Sequence, residues 1–198
     1  YRNLGDKPER DYLRGFHYGG GASRTGWQRA IPEMGFGQDF KEETTEPGPW
    51  TMGLGSFGEH LPEYKNRAFL DRTKKDKWGL PLLAVDCEFG ENERKMRIDM
   101  KNDAAEILEA AGMKDIQAFD RPAIPGMAIH EMGTARMGHD PKTSVLNKWN
   151  QMHDVKNVFV TDGAFMTSNA CQNPSLTYMA FTARACDHAV SELKKGNL

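Results

Sequence analysis

Cysteine is scarce in this chain. Cys87, Cys171 and Cys186 are the only three in 198 residues. An odd number with no CxxC spacing fits neither a disulfide framework nor a zinc site. Long apolar runs are also missing. None approaches the roughly 20 residues needed to cross a bilayer, so no membrane-spanning helix is expected. Nor is there an excess of charge of either sign. A formal net charge of -2 offers no basic surface to nucleic acid. No leader pattern is visible, but the chain opens at Tyr1 rather than Met. It therefore reads as a processed or cut product, and the missing leader carries no weight.

One further absence concerns phosphate binding. Gly53-Leu54-Gly55-Ser56-Phe57-Gly58 spells GxGxxG. That fingerprint works only between a hydrophobic strand and a helix. Here Glu46-Pro47-Gly48-Pro49 precedes it and Pro62 follows soon after. The stretch reads as a glycine-rich strand and not as a phosphate loop. No other βαβ unit of the dinucleotide-binding type is present.

At this length the chain can bury one sizeable core, whole or divided into two lobes. Residues 14–18 read as a strand, with flexible glycines at 19–21. Residues 35–49 show no periodicity and read as a long loop, either a mobile lid or plain disorder. Residues 66–71 and 82–87 are β-prone, separated by a turn at 76–81. Residues 92–111 form the clearest helix outside the C-terminus. Asn92 is its expected N-cap, Glu93 suits the positive end of its dipole, and Gly112 ends it. Met96, Met100, Ala104, Leu108 and Ala111 share its apolar face. Residues 116–119 read as a strand, and Pro122 and Pro125 mark a linker.

The last third is the most informative. His130-Glu131-Met132-Gly133-Thr134-Ala135-Arg136-Met137-Gly138 places a histidine in a glycine-flanked segment. Residues 155–160 read as a buried strand ending in Thr161-Asp162-Gly163. Asn173-Pro174-Ser175-Leu176-Thr177 opens a helix running to about Lys194. Its apolar face is Leu176, Met179, Ala180, Ala183, Val190 and Leu193. Histidine suits a base role because its ordinary pKa lies near 6.5; a buried structural histidine is the bland alternative. An Asn amide can steady a developing alkoxide; Asn173 could equally be only an N-cap, with Pro174 at the first helical position. His139 and His153, beside Asp140 and Asp154, match no metal-ligand spacing and read as solvated loop residues. Cys171 lacks the rest of any cysteine-hydrolase pattern and reads as packing or pocket lining.

Taken together, the His130 segment, the Asp162-Gly163 strand end and the Asn173-Pro174 helix head resemble the C-terminal signature of the glucose–methanol–choline (GMC) family of FAD-dependent alcohol oxidoreductases. The order Leu61-Pro62, Asn66-Arg67, Asp76-Lys77-Trp78-Gly79-Leu80-Pro81 is similar to the substrate domain of bacterial members. The resemblance implies an α+β fold: an antiparallel substrate-binding sheet flanked by helices, plus a C-terminal strand–helix segment that would complete an FAD-binding domain. It implies a substrate-binding lobe at 1–126 and a catalytic, flavin-contacting segment at 127–198. The N-terminal dinucleotide-binding domain of the family has no counterpart in this stretch and is the implied partner. The implied reaction is oxidation of a CH–OH group of a small alcohol, sugar or polyol by hydride transfer to FAD. His130 would be the base and Asn173 the holder of the substrate oxygen. Asp162, Gly163, Pro174 and Thr177 would meet the cofactor. The isolated chain is then expected neither to hold FAD tightly nor to turn over an alcohol. The rival expectation is a non-catalytic carbohydrate-binding or interaction domain, with Trp27, Trp50, Phe57 and Trp78 as stacking surfaces.

Overall fold

The computed structural model describes residues 10–26 and 35–198; Trp27 lies outside them. The elements in order are β1 (Phe16–Arg24), α1 (Gly37–Thr45), β2 (Trp50–Gly58), β3 (Arg67–Lys75), β4 (Pro81–Asp86), α2 (Glu91–Ala110), a 3₁₀ turn (Gly163–Phe165) and α3 (Ser175–Lys194). The strands are antiparallel, as α+β requires, but they form two separate pairs instead of one sheet. β1 pairs with β2, Phe16 opposite Gly58 and Arg24 opposite Trp50. β3 pairs with β4, Arg67 opposite Asp86, with an irregularity between Asp71 and Lys75.

The GxGxxG stretch is strand, as its flanks dictate. Its last glycine has a packing role: a Cβ on Gly58 would lie 2.2 Å from Met100 Cε and 2.5 Å from Met96 Sδ. The bare backbone lets α2 lie close on the sheet. Tyr12, Phe16, Met96 and Met100 are buried together there, with Tyr18 against them. The two methionines stand four apart and so project from one helical face. Gly112 takes a φ of 79° just past the helix, the left-handed end expected of it.

Several elements depart from expectation. The glycines at 19–21 are part of β1, held by cross-strand pairing. Residues 37–45 are helical; α1 buries no residue, so it carries no hydrophobic period to be read. The N-cap of α2 is Gly90, not Asn92. Asn92 instead accepts from Leu13 N–H at 2.7 Å and donates to Leu13 O at 3.2 Å, fastening the chain's opening segment to α2. Glu93 does more than face the dipole. It is 5% exposed and accepts from Gly90 N–H at 2.8 Å and Leu61 N–H at 3.0 Å. Burial by itself raises its pKa, but these backbone donors outweigh that and leave it lowered. Residues 116–119 form no strand. The neighbouring Asp120 is gripped by Arg97 of α2 through two bonds, 3.0 and 2.6 Å.

Residues 155–160 are likewise not a strand. They make one isolated bridge, Gln151 to Phe159, and Val155 and Val158 are exposed. What the C-terminal third uses instead is loop packed on loop. Leu146 and Asn150 are completely buried. Asn150 has a φ of 62°, and its amide donates to Val160 O at 3.0 Å. Arg184 of α3 donates to Lys148 O at 2.6 Å and packs on Phe181. Trp149 stacks on His188 with ring centroids 4.5 Å apart. The packed face of α3 is therefore Tyr178, Phe181, Ala185 and His188. The apolar face read from the sequence is outward: Leu176 is 78% and Met179 68% exposed, with Val190 and Leu193 also exposed.

Candidate active site

The site is built where three stretches of backbone meet at Gly163. The segment after His130 runs alongside the 3₁₀ turn: Ala135 N–H donates to Ala164 O and Met137 N–H to Phe165 O, both at 3.0 Å. The first turn of α3 closes the third side. A Cβ on Gly163 would lie 2.7 Å from the Tyr178 hydroxyl, 2.9 Å from Met132 Sδ and 3.0 Å from Glu131 O. Glycine is required by the close approach of these neighbours. Tyr178 also donates to Met132 Sδ at 3.7 Å, and Phe165 stacks on Phe181 at 4.7 Å.

The predicted residues fall around this junction. His130 is exposed, between Ile129 and Glu131. Gly163 is buried. Asp162 is exposed and caps the 3₁₀ turn, its Oδ1 accepting from Ala164 N–H at 2.9 Å. It thus ends no strand; it starts a turn. Pro174 is buried and is itself the N-cap of α3, one position later than the Asn173 expected there, with no side-chain cap bond. Asn173, exposed just before it, does not cap the helix. Thr177 is half-buried in the first turn. The junction joins the backbone next to His130, the Asp162-Gly163 pair and the turn that follows Asn173.

Electrostatics add two residues that the sequence pattern did not single out. Burial raises the Tyr178 hydroxyl pKa, and the Asp162 and Glu131 carboxylates push it the same way. Burial also raises the Cys87 thiol, with Glu131 the next contributor. The Glu131 carboxylate thus bears on groups at both the end of β4 and the head of α3. Tyr178 could have been found only by shifting the apolar face of α3; Glu131 gave no signal.

His153 shares a 3.0 Å hydrogen bond with Ser144 Oγ. Among the described residues no group of three or more His, Cys, Asp or Glu is placed to hold a metal ion, and no helix is long and apolar enough to cross a membrane. Phe57 stacks on His17 at 5.1 Å, and Lys77 lies over Trp78 at 4.3 Å.

Comparison with known proteins bears on the same region. The family profile described as GMC oxidoreductase matches residues 62–182, which include every residue placed at the junction. The chain is 42% identical to 2-methyl-1,2-propanediol dehydrogenase of Mycolicibacterium austroafricanum over 135 residues, 67% of this chain and 24% of that protein. It is 33% identical to the fructose dehydrogenase large subunit of Gluconobacter japonicus over 148 residues, 73% of this chain and 26% of that protein. It is 26% identical to pyranose 2-oxidase of Lyophyllum shimeji over 149 residues, 73% of this chain and 24% of that protein. The chain therefore spans about a quarter of the length of these relatives. With more than half of its residues matched to one family, and the match running through the Gly163 junction, the chain belongs to the GMC oxidoreductase family.

Proposed function

We propose that the chain is the substrate-facing, catalytic part of an FAD-dependent oxidoreductase that oxidises a CH–OH group of a small alcohol, sugar or polyol. The observation that carries this reading is the junction at Gly163, which gathers the His130 segment and the head of α3 onto one buried point. The relatives named above are dehydrogenases and oxidases of a diol, a ketose and a pyranose, in keeping with a hydroxylated substrate.

His130 takes the hydroxyl proton as the alcohol is oxidised, and its exposure leaves the imidazole open to a substrate. The Asn173 amide donates to the same oxygen and steadies the charge that develops there. Its competing duty as a helix cap has passed to Pro174. A bound flavin supplies the hydride acceptor. The residues present fit one side of such a group. The uncapped first turn of α3 offers N–H groups to an electron-rich ring, with Thr177 beside them. Asp162 is committed to the Ala164 N–H and presents no donor for phosphate. The remainder of the cofactor falls to a dinucleotide-binding domain elsewhere in the same protein.

The test is His130→Ala in the intact protein. Alcohol oxidation is expected to fall by about 10²- to 10⁴-fold, while the flavin absorbance of the purified protein stays stoichiometric. Near-normal turnover removes His130 from the mechanism.

A further inference from the structure

The turn that carries His130 is strained. Ile129 has a φ of 71°. A β-branched residue in the left-handed region is a genuine outlier, and it persists only where the surroundings hold it. Packing does not hold it, since the Ile129 side chain is 91% exposed. A hydrogen bond does. The Glu131 Oε1 reaches back and accepts the Ala128 N–H, closing a ring around Ile129 and His130. Beyond Glu131 the Tyr178 hydroxyl donates to Met132 Sδ at 3.7 Å, and Gly133, at φ 85°, lies where an added Cβ would come 3.4 Å from Met166 O and Thr167 O.

We infer that Glu131 is a positioning residue whose carboxylate latches the strained turn presenting His130. The inference rests on His130 being the base, as proposed above. One end of the turn is anchored in the Gly163 junction; the other follows a tight turn closed by Met127 N–H on Ile124 O at 3.0 Å, and the Glu131 carboxylate ties the two ends together across Ile129 and His130. Without it, Ile129 relaxes to an ordinary φ and the imidazole swings with the backbone. A displacement of about 1 Å at a catalytic group can cost roughly 10²-fold in rate.

In the intact protein, Glu131→Ala is expected to lower kcat by about 10- to 100-fold with KM changed by less than about threefold. Glu131→Gln keeps an acceptor oxygen and is expected to retain most of the rate. Ile129→Asn placed on Glu131→Ala is expected to recover part of it, because Asn enters the left-handed region far more readily than Ile. Hydrogen exchange read by mass spectrometry should show faster exchange at residues 128–132 in Glu131→Ala but not in Glu131→Gln. Unchanged exchange in Glu131→Ala, or a Gln variant as impaired as the Ala variant, overturns the latch. The exchange measurement does not depend on turnover. If His130→Ala keeps its rate, the base assignment fails, and the latch is still decided by exchange.

Discussion

The lobe of β1, β2 and α2 and the segment from 128 to 173 solve the same problem in opposite ways. The first buries apolar side chains between regular elements: Phe16 and Tyr12 against Met96 and Met100. The second has almost no regular structure, yet it holds Leu146 and Asn150 at zero exposure. Its order comes from backbone bonds between loops, from an amide that substitutes for a strand partner, and from residues held at positive φ. Flexible methionines can absorb small changes of shape. A lattice of directed hydrogen bonds has less slack, because moving one member leaves its partner unsatisfied.

The largest stability difference between the regions is expected at Asn150. Asn150→Ala removes the bond to Val160 O, leaves that part-buried carbonyl without the amide, and puts Ala at a φ of 62°. Together these should cost roughly 3 kcal/mol. Hydrogen exchange of residues 144–160 should quicken accordingly, with the α2 amides unaffected.

A glycine pair makes the contrast quantitative. Gly163→Ala meets a tyrosine hydroxyl and a backbone carbonyl, whereas Gly58→Ala meets only the flexible ends of Met96 and Met100. Overpacking of this kind costs about 1–3 kcal/mol. Gly163→Ala should fall at the top of that range and Gly58→Ala at the bottom, as read by urea midpoints. Equal losses would mean that the first lobe is as unyielding as the second.

The smallest effect is a pH dependence confined to the first lobe. The pKa of Glu93 is lowered on folding, so its stabilising contribution is complete above the ordinary carboxylate value of 4.5. It is lost as pH falls through the lower, folded value. Glu93→Gln keeps one acceptor where two are used and should flatten the acid limb of a stability–pH curve. An unaltered limb would show that other carboxylates govern it.

The same division decides how much could be read from the sequence. Where apolar period and burial coincide, as at Met96 and Met100, the helix and its buried face were legible. So was β2, because its proline-rich approach excluded a phosphate loop. Where burial is absent the pattern misleads. α1 has no period because it packs on nothing. The apolar stripe of α3 does not pack, while Tyr178, Phe181 and Ala185 do. Val155, Val158, Phe159 and Val160 have strand chemistry but only a single bridge to pair with. In the site, His130, Asp162, Gly163 and Asn173 stood out by type and context. Glu131 and Ile129 did not, since a latch and a strained φ exist only once the chain has turned.

The distance along the chain between the parts of the first core has a consequence in time. Tyr12 hydrogen-bonds to Asp99 across 87 positions at 2.6 Å, and Phe16 waits on Met96 and Met100 of the same helix. The β3–β4 hairpin closes over a turn at residues 76–80 and can form in about 1–10 μs. During synthesis β1 and β2 are made long before α2, and Phe16 has no cover until Met100 has left the ribosome. The order of folding is then local hairpin first and the core between Phe16 and α2 last, because long loops are slow to close. A ribosome paused between β4 and α2 would hold a chain whose first strand already has β2 to pair with but whose Phe16 is still uncovered.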